Sequence, residues 1–155
     1  MQIEHPENSW TIAGAPTTMV EISLNYQDKL RCSATHLPSG STIWTDAPVD
    51  NNGLGQSFSP TDLVATALGS CMATVMGIVA ERKGVSLAGL NVNVRKYMSE
   101  DAPRRISKLE IDMNMPIPAS HPEAKILEAA ARGCPVHHSL NPEIQTVFNW
   151  NWASA

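Results

Sequence analysis

The sequence lacks most of the features that fix a function class at a glance. Lysine and arginine number 11 against 15 aspartates and glutamates, a formal net charge of −4. That leaves no basic footprint for nucleic acid or an anionic membrane surface. Aromatic residues are scarce, and half of them are tryptophans: Trp10, Trp44, Trp150 and Trp152. There are three cysteines, Cys32, Cys71 and Cys134, and no CxxC pair. A disulfide framework, paired zinc knuckles and haem attachment are thereby set aside, and a reducing, cytoplasmic setting is expected. Residues 1–17 lack a basic start followed by an apolar run, so no signal peptide is expected. No solenoid-period repeat, low-complexity tract or long charge block occurs. What remains is an ordinary globular composition, long enough at 155 residues for one real core.

The chain is organised around its longest apolar stretch, Ser59 to Gly84 (SPTDLVATALGSCMATVMGIVAERKG). Pro60 suits a first helical turn. Ser59 with Asp62 three residues on predicts a capping box, and Gly84 a stop. Leu63 to Ala80 carries no charge and reaches the length of a membrane-span candidate. Its Gly, Ser and Thr content and the lack of an aromatic belt favour a buried central helix instead. Ala65, Gly69, Ala73 and Gly77 recur every four residues, a stripe without bulk that admits a close neighbour. Cys71 lies near the middle, among Thr66, Ser70 and Thr74.

Around this helix the pattern alternates. Residues 1–17 read as an arm and 18–155 as a single domain. Val20, Ile22, Leu24 and Tyr26 share one face of a strand, and Leu30, Cys32 and Ala34 share one face of the next, with Cys32 expected in the core. A third strand spans Ser41 to Asp46. Ala47 to Ser59 is a loop long enough to wall a site. After the helix, Leu90, Val92 and Val94 mark one strand and Leu109, Ile111, Met113 and Met115 another, which Pro116 and Pro118 should end. Ser120-His121-Pro122-Glu123 predicts a capping box for a second helix, stopped at Gly133. Cys134 should open a short helical turn, and a last strand carries Phe148, Trp150 and Trp152. The order β-β-β-α-β-β-α-β predicts an α+β fold, antiparallel sheets around one buried helix. With the small-residue stripe, it suggests a homodimer in which central helices pack together.

Two cysteines have contexts that could carry chemistry. Cys71 sits mid-helix. Cys134 precedes Pro135 at a helix start, where free N–H groups and the dipole favour a thiolate. Two such thiols close in space could reduce a peroxide through sulfenic acid and a disulfide. Two buried structural thiols are the plain alternative. Cys134-x-x-His137-His138, joined by His36 or Cys71, could hold zinc, but paired ligand knuckles are lacking. A Cys–His acyl-transfer nucleophile would use His137 or His138, with no oxyanion hole marked in the sequence.

The segments TDAPVDNNGLGQSFSPTDLVATALGSCM (Thr45 to Met72) and RGCPVHHSL (Arg132 to Leu140) resemble the OsmC/Ohr family of osmotically inducible and organic-hydroperoxide-resistance proteins, in its OsmC-like branch. Element order fits that family from about Thr18 to Trp152. The resemblance implies an intertwined α+β homodimer and thiol-dependent reduction of organic hydroperoxides, with Cys71 as the peroxidatic and Cys134 as the resolving cysteine. It implies no metal or organic cofactor, and electrons from a dithiol, with lipoylated protein or another small thiol system as candidates. One departure stands out. Family members carry Glu directly after the helix proline, where it holds an arginine against the peroxidatic thiolate. Here that position is Thr61, and the acid falls at Asp62, rotated by about 100° on a helix. Arg31 is the only N-terminal arginine and so the candidate partner; a solvated strand face is its alternative reading.

Overall fold

A computed structural model describes residues 19–154; the arm expected over residues 1–17 lies outside them. The chain divides into two compact units, with the boundary between Thr45 and Asp46. In the first, β1 (Ile22–Tyr26), β2 (Arg31–His36) and β3 (Thr42–Asp46) form one sheet in that order. β1 and β2 are antiparallel, with Tyr26 opposite Cys32. Their connection has no glycine, and Asp28, Lys29 and Leu30 all take positive φ to make it. The expected alternation is present, yet nothing in β1 is buried: Leu24 is 67% and Tyr26 64% exposed. Cys32 is half-buried and stands outside the core that was expected to hold it. A three-stranded sheet has two faces and no second layer of its own to cover them.

The second unit opens with a loop that folds on itself. The Asp46 N–H donates to the Phe58 carbonyl (3.0 Å), the Gln56 N–H to Asp46 Oδ2 (2.9 Å) and the Gly55 N–H to the Ala47 carbonyl (3.2 Å). At Gly53 a Cβ would fall 1.7 Å from the Ala47 carbonyl oxygen, so no side chain fits there. The loop delivers the chain to α1 (Pro60–Arg82), whose predicted capping box is complete. The Asp62 N–H donates to Ser59 Oγ (3.1 Å) and the Ser59 N–H donates back to Asp62 Oδ2 (2.8 Å). Gly84, at φ +66°, ends it in the left-handed region that glycine adopts at no steric cost.

α1 packs against α2 (Ala124–Arg132) and against a second sheet of β4 (Asn91–Met98), β5 (Ile106–Pro118) and β6 (Gln145–Ala153), in the order β4-β5-β6. Leu68, Met72 and Met76 from α1, Leu109, Ile111 and Met113 from β5 and Leu127 from α2 are completely buried. Each such side chain contributes about 1.5–3 kcal/mol of burial. Gly69 lets α1 approach β4, since a Cβ there would meet Val94 Cγ2 at 2.9 Å; Gly77, on the same stripe, faces open space. By length and composition α1 could cross a membrane, and a third of its most apolar window is buried within the chain.

The α+β class holds, with three local corrections. β4 and β5 are antiparallel, but β6 runs parallel to β5, because the chain crosses over through α2 and α3 (Pro135–Ser139) before returning to the sheet. β5 continues through Pro116 to Pro118. Its pairing with β4 finishes at Asn114, so neither proline interrupts that ladder. The capping box at Ser120 to Glu123 does not form. α2 starts at Ala124 without a side-chain cap, and the Glu123 N–H donates to His121 Nδ1 instead (3.1 Å).

Candidate active site

The second unit brings Cys71 and Cys134 together. Cys71 is half-buried on α1, Cys134 is fully buried as the N-cap of α3, and both are free thiols. Pro135 occupies the first position of α3, where no N–H is needed, and the His137 N–H donates to Cys134 Sγ at 3.4 Å. A helix start was expected to favour the Cys134 thiolate, and the direction is the reverse. Burial pushes the Cys134 thiol up. The His137 N–H pulls it back without prevailing, while a hydrogen bond to Cys71 and the repulsion of two neighbouring thiolates push the same way as burial. Five residues of helix are too little to outweigh desolvation. Cys134 therefore keeps its proton beside the sulfur of Cys71.

His137 does not turn its ring to that sulfur. Its Nδ1 lies 2.9 Å from the Arg132 carbonyl, which only accepts, so Nδ1 carries the proton of the neutral ring. Its Nε2 is 3.3 Å from Thr146 Oγ1 on β6, and the ring stands edge-on to Phe148. With both nitrogens committed to oxygen partners, the ring is set neither as a base for Cys134 nor as a metal ligand. His138 is exposed.

Asp62 and Arg31 are the other predicted site residues. Asp62 is joined to a cation, but that cation is Lys96, whose Nζ donates to Asp62 Oδ1 (2.6 Å) and to Thr61 Oγ1 (2.7 Å). Burial by itself would raise the Asp62 carboxyl; the Lys96 ammonium and the N–H and hydroxyl of Ser59 outweigh it and hold the group below the usual carboxylate range. Asp62 thus caps α1 and ties it to β4. Arg31 is half-buried on β2, in the first unit. An open groove of about 940 Å³ runs along α1, lined by Phe58, Asp62, Thr66, Ser70, Val94 and Lys96. It lies on the far side of α1 from the thiols: Cys71 is about 160° round the helix from Gly69 and Ala73, which also line the groove.

A family model described as OsmC-like protein matches residues 53–149. A crystal structure from Psychrobacter arcticus 273-4, of a protein described as osmotic stress induced and of detoxification response, is 42% identical, covers 86% of this chain and 97% of that one, and superposes with a TM-score of 0.80. The chain belongs to the OsmC-like family. Two further OsmC-like structures share the fold at lower identity. An organic hydroperoxide resistance protein OsmC from Legionella pneumophila is 13% identical over 88% of this chain and 99% of that one, with a TM-score of 0.71. A Vibrio cholerae protein named for organic hydroperoxide resistance, with captopril in one of its active sites, is also 13% identical, over 91% and 96%, with a TM-score of 0.70. A comparison with curated proteins finds no match.

Sequence reasoning missed two residues of this OsmC-like unit, one at the start of α1 and one beside the thiols. Lys96 had a signal: it continues the inward run Leu90, Val92, Val94, and a lysine on an apolar strand face needs a buried partner. His137 was weighed only as a ligand or a base. Its actual ring partners, a main-chain carbonyl and a threonine on another strand, leave no mark in sequence.

Proposed function

We propose that this protein is a cysteine-based peroxidase that reduces organic hydroperoxides in oxidative stress defence, and that it works as a cytoplasmic homodimer. The observation that carries the reading is the hydrogen-bonded contact between Cys71 and the buried Cys134. The Cys71 thiolate attacks the distal peroxide oxygen, the O–O bond breaks, and the alkoxide takes a proton to leave as alcohol. Cys71 is then a sulfenic acid. The Cys134 sulfur attacks the Cys71 sulfur, the S–O bond breaks, and water departs as the disulfide forms. A dithiol, such as a lipoylated protein or another small thiol, returns both cysteines to thiols and is itself oxidised. The relatives named for hydroperoxide resistance support this assignment.

The dimer reading draws on exposed faces. Thr66, Ser70, Thr74 and Ile78 form an exposed ridge on α1, and the three hydroxyls each donate to the carbonyl four residues earlier, at 2.8–2.9 Å. Such hydroxyls lose no hydrogen bond when a second copy covers them. The apolar residues of β1 offer a second face for it.

A different reading, a binding or redox-sensing module without turnover, is favoured by Thr61 and by the pairing of Asp62 with Lys96 rather than with an arginine. The test is to treat the fully reduced protein with cumene hydroperoxide and count free thiols by mass. Loss of two thiols as an intramolecular Cys71–Cys134 disulfide, abolished by Cys71→Ser, is expected of the peroxidase. Unchanged thiols would overturn the peroxidase reading and leave a binding module.

A further inference from the structure

α3 is five residues long and follows Gly133, so it cannot hold itself in place; a single helical turn costs more to nucleate than its own hydrogen bonds return. Yet it carries the sulfur that must meet Cys71. Its main-chain anchor is the Cys134 N–H donating to the Ala131 carbonyl at 3.2 Å. Val136 and Leu140 pack against the core, and the side-chain polar anchors to the rest of the chain come from one residue. The His137 ring spans from the Arg132 carbonyl, before the glycine, to Thr146 on β6, and packs edge-on against Phe148 with centroids 5.3 Å apart. Phe148 is itself held under the Arg132 guanidinium at 4.6 Å. The same residue's N–H contacts the Cys134 sulfur. His137 thus makes a polar link from that sulfur to the sheet.

We propose that His137 is a positioning residue for the second thiol step: by pinning the Cys134 turn between the end of α2 and β6 it fixes where the resolving sulfur waits, and has no part in the attack of Cys71 on peroxide. This rests on the peroxidase reading for its chemistry, though not for its geometry. To close the disulfide, the two sulfurs must come from contact to about 2.05 Å, and a preset approach accelerates such a step. No proton passes through the ring.

The experiment follows two quantities after mixing reduced protein with cumene hydroperoxide and quenching into dimedone: the Cys71 sulfenate adduct and the disulfide, both by intact mass. His137→Ala should leave the rate of Cys71 oxidation unchanged, slow disulfide closure by about tenfold or more, and so accumulate the adduct. His137→Asn, which keeps a donor near Nδ1, should recover most of the closure rate. Thr146→Val removes one anchor without touching His137 and should fall between. Closure at the wild-type rate in His137→Ala, equal loss of both steps, or no recovery in His137→Asn would overturn the proposal. A parallel series uses diamide, which oxidises paired thiols without peroxide. If hydroperoxide leaves the wild-type thiols untouched but diamide closes them more slowly in His137→Ala than in wild type, the peroxidase reading falls and the positioning role stands. Equal closure by diamide in the two proteins overturns the positioning role whatever hydroperoxide does.

Discussion

β1 and β5 are written in the same period and end in opposite circumstances. In β5 the inward residues Leu109, Ile111 and Met113 are completely buried, under α1 and α2 of the same unit. In β1 the corresponding residues Ile22, Leu24 and Tyr26 are each more than half exposed. Alternation announces that a face is to be covered; it does not say by what. The second unit brings its own cover in α1, and the first unit brings none of its own. On the dimer reading, the missing cover is a second copy.

Three substitutions test that contrast. Leu68→Ala opens a cavity in the self-sufficient unit and should cost about 2–5 kcal/mol at every protein concentration, read by urea denaturation. A cost below about 1 kcal/mol would mean that the core of this unit is held by something other than its central helix. Leu24→Ser should cost little in dilute protein, where surface changes stay within about 0.5 kcal/mol. It should weaken self-association by about tenfold or more, equivalent to about 1.4 kcal/mol, read by sedimentation equilibrium. An unchanged sedimentation profile would remove β1 from the interface. The smallest effect belongs to the start of α1. The Asp62 carboxyl is held below its unfolded value, so its stabilisation is complete above that value, about 3.9, and is lost as pH falls through the lower folded one. Asp62→Asn should therefore flatten the fall in urea midpoint between about pH 5 and pH 2. At neutral pH it should cost about 1 kcal/mol or less, because the side chain is 41% exposed. An acid limb as steep as that of the wild type would assign the slope to other carboxylates, Asp112 and Glu110 beside Arg95 first among them.

Much of the fold was legible, for reasons that can be named. Ser59, Pro60 and Asp62 state a helix start in local chemistry, and the structure completes both bonds of the box. Ser120 to Glu123 state the same thing and are overruled, because His121 offers the Glu123 N–H a nearer acceptor. The spacing of Phe148, Trp150 and Trp152 reveals a strand but carries no direction, so its parallel run beside β5 had to come from the crossover through α2 and α3. Cys71 and Cys134 were each marked by local context, while their meeting could be suggested only by the family resemblance. Asp62 was legible as the capping-box acid, while its ion-pair partner Lys96, 34 residues on along the inward face of β4, was not.

The complete burial of Cys134 has a consequence for competition. In a cell, any exposed sulfenic acid is open to every soluble thiol, and the outcome follows their concentrations. A sulfur already in contact with its target does not enter that contest, since its effective concentration is set by geometry rather than supply. The same burial hides it from alkylating agents and from further oxidants. On the peroxidase reading, Cys134 has one available reaction partner, and that partner is encoded in the same chain.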